Sequence, residues 1–330
     1  MSSVIRRFVH LIVDDLKNSY TLRRIDIGPL FAGVPKDLGM QTVRLPRPVV
    51  CFETHDKYKN QTEFFLLGSK IVSINANRCT IMYDTLTSSM FSGPDLQQGK
   101  GLEPAWAAVQ GKLCLANASA DDYNKPCFES MRYDDHLRSW FWDLLPSPPF
   151  AHEPFERHTF ITSFAAAGDG KNIWISTKDE GTYTFDITTA AWCKEGDWTL
   201  PFAGQLQYIP DYNLCFGFCR GSNNLCSADL IAGASEPPSH INVWEDVDGY
   251  NGAKGWHLAC SYLTYLGCGR FCVTRFYDTR QYDCYMPLCD VAVMTAVEVK
   301  HTSNIGELQV TKWASRCYKF ASGTCRGWAF

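Results

Sequence analysis

The chain has 330 residues, of which 45% are hydrophobic and 14% aromatic, and its formal net charge is -4 at pH 7. This composition is typical of a folded globular protein and excludes a disordered one, and the scattered Lys and Arg residues offer no basic face for nucleic acid. No apolar stretch reaches the roughly 18 residues that a membrane-spanning helix requires.

The first apolar run of the chain, "FVHLIV", predicts a β-strand. It is too short for a signal peptide, contains His10 and is followed by two aspartates where a cleavage site would lie. We therefore expect the protein inside the cell, in the cytoplasm or the nucleus. The Gly/Pro-rich residues 27–48 predict a surface loop.

The middle of the chain contains an internal repeat of an aromatic residue, an Asp, five further residues and a large apolar residue. We expect the aromatic residue to pack between sheets and the Asp to start a turn by accepting a backbone N–H two residues later. The last residue should begin an outer strand and fill the gap to the neighbouring sheet. The copies are Tyr83-Asp84 to Met90, Tyr133-Asp134 to Trp140 and Phe185-Asp186 to Trp192, with weaker ones at Ile25-Asp26, Ala228-Asp229 and Tyr277-Asp278.

The spacing of these copies predicts the fold. The aromatic residues Tyr83, Tyr133 and Phe185 lie 50 and 52 residues apart, close to the roughly 50-residue kelch period. We predict an all-β, kelch-like β-propeller that forms a single domain of residues 1–330, with six blades, five or seven remaining open. The predicted repeats are about 60–96, 104–146, 160–201, 204–245 and 255–313, and terminal strands such as "RFVHLIVDD", "RCYKF" and "RGWAF" form the last blade and close the ring.

The residues that could carry chemistry show no catalytic arrangement. Fifteen cysteines lie between Cys51 and Cys325 without a framework spacing, and we expect them to be reduced and packed as small apolar residues. We predict no cofactor, no metal and no catalytic residue. The segment "TKDEGTYTF" approximates a sialidase-type Asp box, which would itself be a structural turn. A carbohydrate-active enzyme with two carboxylates in the central channel remains the alternative from another class.

Two loops are candidates for binding a protein partner. Aromatic and Arg side chains are typical of protein interfaces. The alternative for Phe150 and Phe155 is that they attach their loop to the propeller. The candidate partner-binding residues are Phe150, His152, Phe155, Arg157 and His158 in residues 146–160, and Tyr250 in residues 244–256.

Three segments resemble a known family: "RRFVHLIVDD…SYTLRRIDIGPLF", "GTYTFDITTAAWCKEGDWTLPFAGQLQYIPDYNLCFGF" and "GELQVTKWASRCYKF". This is a plant family of unknown function that is expanded in grasses, rice in particular, and is similar to kelch and F-box-associated propellers. The resemblance implies an intracellular plant propeller with no catalytic residues to carry over. Kelch relatives often serve as substrate receptors of ubiquitin ligases, although the first predicted strand leaves no room for the usual F-box helices.

From these observations we predict a monomeric, non-enzymatic protein-interaction scaffold or adaptor with an unidentified protein partner. It should bind neither nucleic acid nor membrane. The alternative within binding proteins is a substrate-recognition subunit for protein turnover.

Overall fold

The computed structural model describes residues 5–14, 19–33, 41–53, 62–101, 103–117, 127–152, 160–231, 233, 236–239, 242–245, 255–279, 289–303, 307–324 and 326–330. These residues are all-β, and the part described contains no α-helix, only short 3₁₀ helices at Gly28–Phe31 and Pro149–His152. The strands are β1 Phe8–Asp14, β2 Ser19–Asp26, β3 Gln41–Val43, β4 Val50–Glu53, β5 Glu63–Leu67, β6 Lys70–Ile74, β7 Thr80–Asp84, β8 Ser89–Ser92, β9 Ala105–Val109, β10 Lys112–Ala116, β11 Phe128–Asp134, β12 Ser139–Leu144, β13 Ile161–Ala166, β14 Asn172–Thr177, β15 Thr182–Asp186, β16 Ala191–Gly196, β17 Phe202–Ile209, β18 Leu214–Cys219, β19 Leu225–Ala228, β20 Asn242–Trp244, β21 His257–Gly267, β22 Arg270–Asp278, β23 Cys289–His301, β24 Leu308–Thr324 and β25 Gly327–Ala329.

The strands form successive four-stranded sheets that we number in chain order. Sheet I is β5–β8, sheet II is β9–β12, sheet III is β13–β16 and sheet IV is β17–β20. Sheets III and IV are joined by a short parallel pairing of their first strands, β13 and β17. Sheet V is β21–β24 with β3 added at its edge, and sheet VI has the order β25-β1-β2-β4.

The chain divides into two compact units, Gln61–Ile241 and a second one made of Met1–Asn60 with Asn242–Phe330. The first unit contains sheets I to IV. A cluster around Met82, Leu113 and Trp142 joins sheets I and II, and a cluster around Phe128, Ile175 and Phe185 joins sheets II and III. Because both faces of such sheets are covered, their middle strands are almost continuously apolar rather than alternating, as in "KLCLA" of β10.

The second unit contains sheets V and VI, which pack on each other through a shared core. Val9 and Leu11 of β1 meet Phe276 of β22 and Met294 of β23 there. Sheet VI joins the two ends of the sequence, since Leu11 pairs with Ala329 and Ile12 with Trp328.

The predicted all-β propeller class is confirmed, with repeated four-stranded sheets as its unit. The number of blades and their closure into one ring stay predictions. The first strand lies where the sequence predicted it, since β1 begins at Phe8. The predicted turn after Thr177 is also present, because the Thr177 N–H donates to Gly181 O at 2.9 Å between β14 and β15.

Two predictions about the chain ends are wrong. Residues 27–48 are not only a surface loop, because Ile27 and Leu30 are buried in the core of sheets V and VI and β3 pairs in parallel with β24. The segment "RCYKF" does not belong to the sheet of the two termini. It continues the long strand β24, in which Cys317 pairs with Val293 of sheet V.

Candidate protein-binding surface

The three strong copies of the sequence repeat form the same β-hairpin in sheets I, II and III. The register places Tyr83 opposite Met90, Tyr133 opposite Trp140 and Phe185 opposite Trp192. The residue before each outer strand is left-handed, with φ between 51° and 56° at Ser88, Arg138 and Ala190. The sequence spacing therefore identified structurally equivalent positions, from the third strand through the turn to the outer strand.

The Asp of each copy organises the turn as predicted. Asp84 Oδ1 accepts the N–H of Leu86 at 2.9 Å, and Asp186 Oδ1 accepts the N–H of Thr188 at 2.7 Å. These backbone donors are the largest cause that holds the pKa of each carboxyl below its ordinary value, and nearby lysines lower it further. A weaker copy has the same geometry, since Gly28 N–H donates to Asp26 Oδ1 at 3.0 Å.

Asp134 makes the equivalent turn in sheet II. Its Oδ1 accepts the N–H groups of His136 and Leu137 at 3.1 and 3.0 Å. Another weak copy, Tyr277-Asp278, ends β22, the second strand of its sheet, and so lies one strand earlier than the strong copies.

In sheet III the aromatic pair of the hairpin is covered by the chain itself. Phe185 is fully buried, and its ring centroid lies 4.8 Å from that of Trp192. Phe150 of the preceding linker packs over them, with its ring 6.4 Å from Trp192 and 5.3 Å from Tyr183. The indole N–H of Trp192 donates to the carbonyl oxygen of Pro146 at 2.8 Å. Trp192 therefore fills the gap to the preceding sheet, as predicted.

In sheet II the equivalent pair is not covered in this way. Tyr133 was expected to pack between sheets, but 43% of its surface is exposed. It stacks on Trp140, with ring centroids 5.1 Å apart, and Trp140 is only partly buried against the core of sheets I and II. The role of Trp192 is taken two residues further along the strand by Trp142, which is buried and donates its indole N–H to Pro94 O at 3.1 Å.

The difference between the two junctions lies in their linkers. The linker before sheet II is held by a buried carboxylate, that of Glu129, which forms an ion pair with Lys100 and accepts the N–H groups of Gln97 and Gln98. Burial lowers the pKa of Lys100, and Glu129 acts against that shift. Because this linker is anchored by charge, no aromatic residue equivalent to Phe150 is needed to hold it.

The hairpins of sheets I and II expose apolar side chains. Among the described residues, ten large apolar side chains are strongly exposed, and five of them lie in the hairpins of sheets I and II. Leu86 and Leu137 at the tips are 82% and 67% exposed. The equivalent tip positions of sheet III hold the polar residues Thr188 and Thr189, which are also exposed. We name Leu86, Met90, Tyr133, Leu137 and Trp140 the hairpin surface.

Several charges beside the hairpin surface are paired within the chain. Lys70 contacts Asp84 at 3.2 Å, and Arg132 bridges Asp134 at 2.9 Å and Asp143 at 2.6 Å. The side chain of Arg132 also lies over the ring of Phe141. Exposed apolar side chains beside paired charges are a composition found in protein interfaces.

The residues proposed from sequence for partner binding differ in where the structure places them. Phe150 is 5% exposed and part of the core of sheets II and III, so its side chain attaches the linker, which was the alternative considered for it. His152 ends the 3₁₀ helix Pro149–His152. Phe155, Arg157, His158 and Tyr250 lie outside the described residues, and their binding role stays a prediction.

Sequence reasoning missed Leu86, Leu137 and Trp142. The first two were detectable as large apolar residues within an Asp-initiated turn, where polar residues are usual. Trp142 was missed because it is two residues from Trp140 and therefore lies on the same face of β12. The spacing of the repeat selects Trp140.

The described cysteines form no disulfide, and burial raises the pKa of the Cys114 and Cys272 thiols to about 12. Within the described ranges, no group of three or more His, Cys, Asp or Glu side chains is placed to hold a metal ion. No helix in the part of the chain that the structure describes is long and apolar enough to cross a membrane.

A family model described as "Protein of unknown function (DUF1668)" matches residues 6–318. The chain belongs to this family. No curated protein matches it.

Similar solved structures include β-propellers. The Cps50 (Swd1) β-propeller domain of Myceliophteria thermophila is 11% identical, with a TM-score of 0.42 and coverage of 94% of this chain and 96% of that one. A protein from Lactobacillus plantarum is 12% identical, with a TM-score of 0.47 and coverage of 94% and 99%. A quinonprotein alcohol dehydrogenase-like protein from Bacteroides thetaiotaomicron is 11% identical, with a TM-score of 0.43 and coverage of 97% and 68%.

Proposed function

We propose that this protein is a non-enzymatic protein-interaction module that binds its partner through the hairpin surface. The observation that carries the proposal is the exposure of Leu86 and Leu137 at turn tips and of Tyr133, whose counterpart Phe185 in sheet III is buried. The same hairpin thus exists in a covered and an uncovered form within one chain. Stability alone does not require large apolar residues at exposed turn tips, whereas a partner that removes them from water would gain free energy.

The rigidity of the turns supports this proposal. The Asp134 carboxylate holds the backbone of its turn through two N–H groups, and the Tyr133–Trp140 pair is fixed by the strand register. A partner would therefore meet side chains that are already ordered, which reduces the entropy lost on binding. Because the carboxylates of Asp84 and Asp134 are paired within the chain, we expect the apolar contacts to determine affinity.

The test compares the proteins that the immobilised chain and its Leu86→Ser, Leu137→Ser double variant retain from a cell extract. Both side chains are highly exposed, so the variant should fold normally. A partner that binds the hairpin surface should be retained by the wild type and not by the double variant. The purified partner should then bind the variant at least about tenfold more weakly in calorimetry, as expected when two interface anchors are removed.

The matched control is Ile231→Ser, which removes an apolar side chain of similar exposure from outside the hairpins. It should leave binding unchanged. Retention of every partner by the double variant, or equal loss from the control, would contradict the hairpin surface as the binding site.

We also propose that the propeller is kelch-like and that the protein acts inside a plant cell. Its role there would be that of a substrate-recognition subunit for protein turnover. Partners enriched in ubiquitin-ligase components would favour that role. The enzyme alternative would need a pair of carboxylates at a channel, whereas Asp84, Asp169 and Asp186 accept backbone N–H groups of turns and Glu129 is buried in an ion pair.

A further inference from the structure

The chain twice fixes its own linkers by donating an indole N–H to a proline carbonyl. Trp142 Nε1 donates to Pro94 O at 3.1 Å, and Trp192 Nε1 donates to Pro146 O at 2.8 Å. Each proline lies two residues beyond the end of an outer strand, at equivalent places of the first and second linkers. A proline-containing segment and a tryptophan of the next outer strand are therefore a recurrent contact of this molecule.

At the second linker the contact includes an aromatic ring. The segment "PSPPF", residues 146–150, places Phe150 four residues after the proline whose carbonyl is bound. Phe150 then packs against Trp192 and Tyr183 and becomes buried. The proline carbonyl gives the segment its position, and the aromatic side chain contributes most of the apolar contact.

Trp140 has the features of a third such donor without a segment bound to it. It holds the register position of Trp192, it is partly exposed, and its ring stacks on the exposed ring of Tyr133. The described residues provide no acceptor for its indole N–H, whereas those of Trp142 and Trp192 are both bonded. Because Trp142 already joins sheet II to its linker, the linker contact does not require Trp140.

We propose that the Tyr133–Trp140 pair binds a proline-rich segment of a partner protein, with Trp140 Nε1 donating to a backbone carbonyl. This inference rests on the proposed function and names the partner's chemistry. A proline-rich segment is already extended as a polyproline II helix, so it loses little entropy on binding, and its carbonyl groups have no internal donors. Such segments dock on grooves lined by aromatic residues.

The probe is the chain's own linker sequence as a synthetic peptide, LLPSPPFA, residues 144–151. It is added to the full-length protein labelled with ¹⁵N, and the indole N–H signals are recorded by NMR. The Trp140 signal is assigned by its absence from a Trp140→Phe variant. We expect this signal to shift downfield in a saturable manner, while the signals of Trp142 and Trp192 stay in place because their N–H groups are already bonded.

Three variants and a second peptide define the specificity. Trp140→Phe keeps a ring but removes the donor, and it should weaken peptide binding by about five- to tenfold, the value of one hydrogen bond. Tyr133→Ala should weaken it at least as much. Ile231→Ser, outside the hairpins, should change it less than about twofold. The peptide LLASAAFA, without prolines, should not bind.

The outcomes separate this inference from the proposed function. Absence of a Trp140 shift with the proline peptide, or an equal shift with the proline-free peptide, would overturn the inference. A partner that is lost from the Leu86→Ser, Leu137→Ser variant but bound equally by Trp140→Phe would also overturn it, and the hairpin surface would still be a protein-binding site. Peptide binding at Trp140 with no partner dependent on the hairpin tips would refute the broader surface and leave the proline-segment site in place.

Discussion

Trp192 and Trp140 occupy the same position of their hairpins, yet their contributions to stability should differ. Trp192 contacts Phe128, Phe150 and Phe185 and has its indole N–H bonded. Trp192→Ala should therefore lower the free energy of unfolding by about 3 kcal/mol, within the range for buried aromatic truncation. Trp140→Ala should cost only about 1 kcal/mol, because Trp142 retains the contact with the linker. Urea denaturation of both variants measures the difference, and equal losses would contradict it.

His10 should make stability depend on pH. It lies opposite Arg24 in sheet VI, and Arg6 Nη2 is 3.1 Å from its Nδ1. Burial, followed by the charges of Arg6 and Arg24, lowers the pKa of His10 to about 4 from 6.5. The unfolded chain takes up this proton near pH 6.5 and the folded chain only near pH 4, so stability present above pH 6.5 is lost as pH falls toward 4.

The loss attributable to His10 should be at most roughly 3 kcal/mol. It is isolated by comparing wild type with His10→Gln, which keeps an acceptor for Arg6 but does not titrate. On going from about pH 7.5 to about pH 5, the melting temperature of the wild type should fall further than that of the variant. Parallel curves for the two proteins would show that His10 is not held neutral by the fold.

At the level of elements, a buried carboxylate anchors the linker into sheet II in addition to the contact of Trp142 with Pro94. Glu129 lies in β11 and has no exposed surface, and it accepts N–H groups of Gln97 and Gln98 as well as the ammonium of Lys100. Glu129→Leu should destabilise the protein by at least about 4 kcal/mol, because it leaves a buried ammonium and two N–H groups unpaired. Lys100→Met should cost about 3 kcal/mol or less, because the two backbone donors still compensate the carboxylate.

Adding Lys100→Met to Glu129→Leu should restore part of the stability, since it removes the uncompensated charge. Chemical denaturation of the two single variants and the double variant checks this order. A double variant that is less stable than Glu129→Leu would mean that Lys100 stabilises the linker independently of the carboxylate.

The sequence was most informative where local chemistry determines structure. The Asp turn needs only an acceptor and the following two or three residues, so its position in β-hairpins could be read from spacing. The pairing of "RCYKF" could not, because any apolar strand near the C-terminus satisfies the same pattern and long-range register selects β24. Exposure of Tyr133 was also unpredictable, since it depends on the preceding linker. Phe150 lies 35 residues before Phe185, whereas the Glu-anchored Gln98 lies 35 residues before Tyr133.

At the scale of the molecule, sheet VI brings the two ends of the sequence together. β25 lies against β1, where the N–H of His10 donates to Phe330 O at 2.9 Å and the N–H of Phe330 donates to His10 O at 3.0 Å. Trp328 of β25 packs edge-on against Tyr20 of β2. These contacts have the largest sequence separations in the chain, so they carry a high loop-closure cost and should form late in folding.

Gly327 tests how closely β25 fits the core of the second unit. A Cβ atom at this position would overlap the ring of Phe276, which is fully buried in β22. Gly327→Ala should therefore displace β25 or Phe276 and lower the free energy of unfolding by about 1–3 kcal/mol, as overpacking does. Amide hydrogen exchange should increase at His10 and Phe330 in particular. Gly99→Ala is the matched control, because a Cβ atom there meets no neighbour, and it should leave exchange unchanged. Unaltered protection of His10 in Gly327→Ala would show that the terminal strand does not need this close approach.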